Sequence, residues 1–107
     1  MDAQLKRGVL EVCVLAAMKK EAKYGYQLVK EISPYVEIAE STLYPILKRL
    51  EANGLVDSYL VPHQNRIRKY YRITEKGRER IAAFLAEWEQ LMRAYRLIQG
   101  EETNDKE

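Results

Sequence analysis

With one cysteine, one histidine and no long apolar run, this chain of 107 residues falls outside several protein classes at once. A lone cysteine excludes a disulfide framework within the chain, and Cys13, set in the run VLEVCVLAAM, reads as a small buried hydrophobe. His63 stands beside a proline with no second histidine or cysteine at ligand spacing, so no metal centre is expected and the residue reads as part of a surface turn. Ser33, Ser41, Ser58, Cys13 and that histidine assemble into no nucleophile, base and orienting group, which leaves catalysis without support. A glycine-rich phosphate loop is missing too, and no cofactor is expected. No window approaches the roughly 18 consecutive apolar residues of a membrane span. The opening MDAQLKRG leads into an amphipathic segment rather than a signal core, so the expectation is a cytoplasmic protein without a membrane partner.

What remains suits one small domain, 47% hydrophobic and 32% charged. The formal net charge is +2, and the closing GEETNDKE is acidic, so the rest of the chain is more basic than that figure. This last stretch, residues 100–107, is polar and without apolar periodicity and reads as a disordered acidic tail. A modest basic balance permits a nucleic-acid partner without proving one.

Between Leu5 and Met18 apolar residues are too dense for a one-faced surface helix, so that helix is buried on more than one side. After the connector KKEAK, the segment YGYQLVKEI spaces Tyr24, Leu28 and Ile32 four apart, a short helix stopped by Ser33-Pro34. Ser41 then stands in N-cap position, Pro45 in the opening turn, and a helix through Leu43, Ile46, Leu47 and Leu50 ends at Asn53-Gly54. Residues 55–61 and 67–73 are rich in β-branched and aromatic side chains and flank PHQNR, which predicts a hairpin with a turn of four or five residues. Thr74 caps a final helix over 75–99. There Ile81, Trp88 and Tyr95 repeat every seven residues, as do Phe84, Leu91 and Ile98, with Leu85 and Met92 widening the stripe. Its first two turns are expected to meet the chain's own core, and the stripe from Ile81 onward, with Val9 of the first helix, to form the interface of a homodimer.

Three helices followed by a hairpin is the order of a winged helix-turn-helix, a mainly α (α+β) fold, here over residues 1–73 with a dimerisation helix over 74–99. In that arrangement the helix beginning near Ser41 lies in a DNA major groove. Ser41 and Thr42 face base edges or phosphates, Tyr44 offers a ring and a hydroxyl, and Lys48 and Arg49 add charge. Adjacent helical residues cannot share a face, so one of those two is free to meet solvent or Glu51 instead. The hairpin carries RIRKYYR, in which alternation groups Arg66, Arg68, Tyr70 and Arg72 on one side, with Arg66 and Arg68 nearest the tip. A charge run alone is better explained as a solvated edge strand, but two basic clusters at the helix and wing positions of one fold support each other.

The stretches ESTLYPILKRLEANGLV and RKYYRITEKG, with the pair Tyr24-Gly25 before them, resemble the PadR family of bacterial transcriptional regulators over nearly the whole chain. A single C-terminal helix is similar to the short subfamily. The resemblance implies a homodimeric repressor of inverted-repeat operators that is released by an effector, with Tyr24 and Lys69 among its DNA contacts. It also implies that Trp88, placed like a pore-lining tryptophan of multidrug-sensing members, sandwiches a flat aromatic ligand beside Leu5, Gly8, Val12, Met92 and Tyr95. The alternative for Trp88 is that it fills the dimer core. For the whole chain the alternative is a winged-helix module that binds protein and no specific DNA.

Overall fold

The computed structural model describes residues 1–100, and the proposed tail lies from residue 101 onward outside the described residues. Helix α1 (Ala3–Ala17) opens on Asp2, whose carboxylate accepts the N–H groups of Gln4 and Leu5 at 3.1 and 3.2 Å. An acceptor there satisfies donors that the first turn leaves free, and its charge complements the helix dipole. Strand β1 (Lys23–Tyr24) leads into α2 (Gly25–Ile32), then α3 (Glu40–Ala52), strands β2 (Val56–His63) and β3 (Arg66–Ile73), and α4 (Glu75–Gln99).

Three expectations change. The sheet has three strands in the order β1-β3-β2, because Lys23 and Tyr24, expected in the connector and in α2, pair with Tyr71 and Tyr70. That pairing covers the edge of β3 that β2 leaves open. The hairpin turn is shorter than expected: only Gln64 and Asn65 lie outside the strands, at φ +47° and +62°. Two positive φ values in a two-residue loop match the type I′ turn, whose twist suits the flanking strands. Pro62 is tolerated within β2 because β2 is an edge strand. Finally, α3 starts before Ser41. Ala39 is its N-cap, without a side-chain cap, and its carbonyl accepts from Thr42 and Leu43 at 3.0 Å each. Pro45 therefore lies inside the helix, where the Ser41 carbonyl loses its usual N–H donor. Burial of Leu43, Ile46, Leu47 and Leu50 outweighs that missing bond.

The core centres on α1. Its Leu10, Val14, Leu15 and Met18 join Leu28 and Ile32 of α2, Leu43 and Leu47 of α3, Ile73 of β3 and Ile81 of α4 in one cluster. Lys23, buried beside this cluster, donates to both carboxylate oxygens of Glu31 at 2.7 and 2.9 Å and to the Ala17 carbonyl at 3.2 Å. The cation thus neutralises a carboxylate and satisfies a carbonyl at the end of α1.

Two side chains expected elsewhere belong to this core. Ile81, predicted at the dimer interface, and Val12, predicted beside an effector, are both buried within the chain itself, since α4 folds back onto α1 there. Beyond Phe84, which packs against the core, α4 leaves it. Leu85, Trp88, Leu91, Tyr95 and Ile98 are exposed, and the chain extends to 68 × 26 × 21 Å.

Thr74 ties α4 to the end of α3: its hydroxyl accepts from Gly77 N–H at 3.1 Å and donates to the Gly54 carbonyl at 2.7 Å. Thr74→Ala removes both bonds and is expected to cost about 1–2 kcal/mol, a fall in Tm of roughly 4–10 °C in a thermal melt.

Candidate nucleic-acid interface

Helix α3 turns its buried stripe inward, and the opposite side of the same helix leaves Ser41, Tyr44 and Lys48 exposed. The N–H groups of Thr42 and Leu43 bond back to the Ala39 carbonyl, and those of Glu40 and Ser41 before them point out of the helix toward any acceptor that approaches. Glu40 places a negative charge at the same end, which favours the helix and disfavours a phosphate directly on its axis. Hydroxyl and base-edge contacts suit this end better than a phosphate does.

The wing stands across from this face. A cleft of about 600 Å³ is lined by Tyr24, Gly25, Tyr26 and Tyr44 from the helical side and by His63, Arg66, Ile67, Arg68 and Lys69 from the hairpin. Tertiary structure thus brings Tyr24, Tyr44, Arg66, Arg68 and Lys69 to one place. His63 and Tyr26 are additions that sequence reasoning missed. The short turn is what brings in His63, which stays in β2, paired with Arg66, rather than in the loop.

The cations differ in how free they are. Arg68 lies over the Tyr24 ring, with its guanidinium 4.0 Å from the ring centroid. Tyr24 meets Tyr70 edge-on at 5.4 Å, Tyr70 stacks on Tyr59 at 5.7 Å, and Arg72 covers Tyr59 at 5.1 Å while donating to Asp57 at 3.0 Å. This row across the outer sheet face restrains the Arg68 side chain without neutralising it. Lys69, beside Arg68 in the cleft lining, has its ammonium 3.8 Å from Glu51, and Ser58 donates to that same carboxylate at 2.6 Å. Arg49 is turned away from Lys48: its Nη2 and Nε donate to Glu11 of α1 at 3.2 and 3.4 Å. Of the two alternatives for the adjacent pair, Lys48 is the exposed one, and the partner of Arg49 is Glu11 rather than Glu51. Among the described residues, Lys48 and Arg66 have no ion-pair partner.

Tyr44 sits where both surfaces meet. Burial pushes its phenol above the ordinary tyrosine value, and the negative charge of Glu40 and the neighbouring Tyr71 add to that shift. At neutral pH it is a hydroxyl that can donate.

Residues 14–83 match the Transcriptional regulator PadR-like family. The chain is similar to the transcriptional regulator Rv3488 of Mycobacterium tuberculosis, with 33% identity over 76 residues that cover 70% of this chain and 71% of that one. Its fold is similar to that of a PadR family transcriptional regulator from Eggerthella lenta, at a TM-score of 0.83 and 34% identity, covering 92% of this chain and 88% of the other. A more distant likeness, TM-score 0.68 at 22% identity over 72% of this chain and 46% of the other, is to Bacillus subtilis PadR in complex with operator DNA. At that identity the likeness is one of fold.

Gly25 is what allows Tyr44 its place, because a Cβ there would run into the Tyr44 hydroxyl. Gly25→Ala is therefore expected to push the phenol into solvent and return its ionisation toward the ordinary 10.0, since burial is the main cause of the shift. Tyr44 and Tyr71 are both held above the ordinary tyrosine value, and spectrophotometric titration should lose one of these two late-ionising groups in Gly25→Ala, as it does in Tyr44→Phe. A wild-type titration curve in the glycine variant would break this account of the contact.

Proposed function

This chain belongs to the PadR-like family of transcriptional regulators rather than to an enzyme family, and on that premise we propose that it is a dimeric, sequence-specific DNA-binding repressor. The observation that supports the reading is the shared cleft, in which Tyr44 of α3 lies across from Arg66, Arg68 and Lys69 of the wing. Ser41, Thr42 and Tyr44 enter the major groove and read base edges there. Arg66 and Arg68 grip the adjoining backbone or minor groove, and Lys48 adds a phosphate contact. Tyr24 acts mainly by holding Arg68 flat, while Arg49 and Lys69 contribute less than their charge suggests because carboxylates already occupy them.

The uncovered stripe of α4, with Leu5 and Val9 of α1, supports a homodimer, because a long apolar face needs a cover that the described residues do not supply. A twofold dimer presents two copies of α3 to half-sites of an inverted repeat roughly 34 Å apart. The working site is the cytoplasm. None of the described helices is long and apolar enough to cross a membrane.

Release by a small planar aromatic effector is the further part of the proposal. Phe84 and Trp88 already stack at 5.9 Å, and Trp88 is partly exposed on the same stripe as Leu85, Met92 and Tyr95. Two copies of this surface, with Leu5 and Gly8 alongside, would enclose a flat ring.

Selection of bound duplexes from a random DNA pool at two salt concentrations tests the central claim, and a palindrome is the expected product. Tyr44→Ala should weaken binding to the selected site, whereas Arg66→Ala should weaken all duplexes and lower the salt slope by about 0.9 for each phosphate that the arginine neutralises. No enrichment at low salt would mean that α3 faces a protein instead. Leu91→Asp, at an exposed position of α4, should convert the dimer to a folded monomer in sedimentation, and a variant that stays dimeric would remove α4 from the interface.

A further inference from the structure

One carboxylate touches both the helix that reads DNA and the helix that leaves the domain. Glu11 of α1 takes Arg49 of α3 on its Oε2, at 3.2 and 3.4 Å, and Arg80 of α4 on its Oε1, at 3.1 Å. Its side chain is only 16% exposed, while those of the two arginines are 37% and 45% exposed. We propose that Glu11 is a positioning residue that fixes α3 relative to α4, so that a displacement of α4 is carried to the DNA-facing surface. The inference rests on the DNA-binding reading above and names its regulation.

Packing makes α1 the intermediary. Helix α4 packs chiefly on α1, and α3 chiefly on α2 and β2 with a smaller contact on α1, so α1 is a helix that both touch. The buried stripe Leu43, Ile46, Leu47 and Leu50 fixes which side of α3 faces the core, while apolar contacts, being non-directional, still allow small tilts and shifts of one helix against another. Charge-assisted bonds to the two oxygens of one carboxylate are directional, so α3 and α4 cannot both turn about α1 without breaking one of them. Two guanidinium groups share a single negative charge here. Loss of the carboxylate therefore leaves two positive groups without a common anchor.

The far ends of the bridge lie where a signal would enter and leave. Arg80, Phe84 and Trp88 follow one another at four-residue spacing along α4, which puts them on one side of the helix, and Phe84 stacks on Trp88. A shift of α4 at Trp88 thus moves Arg80 with it. At the other end, Arg49 lines a cleft of about 400 Å³ together with Thr42 and Pro45, so it lies on the same helical face as a residue of the reading turn. With the bridge intact α3 is held in one orientation. With the bridge gone, α3 keeps its buried stripe but its tilt must be fixed when DNA binds, which lowers affinity.

The experiment is a double-mutant cycle with Glu11→Gln and Arg80→Gln in the full chain, read as affinity for the selected operator and its salt slope, with thermal melts to confirm folding. Arg80→Gln, on α4 rather than on α3 or the wing, is expected to weaken operator binding by about fivefold or more at an unchanged salt slope. The double variant should bind within about twofold of the weaker single one, because both break the same bridge. Arg80→Lys, which keeps the charge, should recover most of the affinity, and this pair of variants decides the matter if Glu11→Gln does not fold. An Arg80→Gln affinity within about twofold of wild type, or effects that multiply in the double variant, overturns the proposal. A reduced salt slope in Arg80→Gln also overturns it, because Arg80 would then be touching phosphate itself. Failure of the unmodified protein to prefer any operator would overturn the DNA-binding reading and this inference together, and it would be seen before any variant is made.

Discussion

Everything in this domain is referred to α1. Helices α2, α3 and α4 all pack against it, and its Val14 and Leu15 are fully buried among them. Because α1 packs against each of the other three helices, the placement of α3 and of the long outgoing α4 both depend on their fit to it. Its ends are held by charge. Asp2 satisfies donors at the first turn, and Lys23 satisfies the Ala17 carbonyl at the last.

The second organising feature is the central position of β3 between β1 and β2. Because side chains alternate along a strand, β3 divides its residues between two tasks. Tyr71 and Ile73 enter the core, while Arg66, Arg68, Tyr70 and Arg72 form the outer face. The short strand β1 carries Tyr24 onto that outer face, and the edge-on and stacked rings of Tyr24, Tyr70 and Tyr59 give the wing a stiff surface on which Arg68 rests. A two-stranded ribbon alone would be marginal, and the third strand gives it support.

Much of this was legible in the sequence. The order of helices and strands, the Thr74 cap, the span of the last helix and the stop at Gly54 all follow from signals a few residues long: caps, apolar periodicity and a left-handed residue. The misses have a common cause as well. Tyr24 fits the four-residue spacing of α2, and nothing nearby announces that its backbone pairs with Tyr70 instead. Ser41 has the chemistry of an N-cap, yet the helix begins earlier because burial of Leu43, Ile46, Leu47 and Leu50 sets its register and outweighs the capping preference. PHQNR contains five residues with turn character, and the twist of the paired strands absorbs three of them.

For the candidate site the division is sharper. Residue types and positions along α3 and the wing were enough to mark out a basic, aromatic surface, since a helix period and a strand period place side chains on faces by themselves. Which cations are free could not be read there. Arg49 is held by Glu11, Lys69 lies toward Glu51, Arg72 is held by Asp57 and Arg68 lies on Tyr24, whereas Arg66 and Lys48 have no ion-pair partner among the described residues. Ion pairs form between groups that the fold brings together from distant parts of the chain, and a local pattern carries no record of them. The sequence alone therefore determined the elements and the sign of the surface, and only the packing of α1, α3, α4 and the sheet decided where that charge is available.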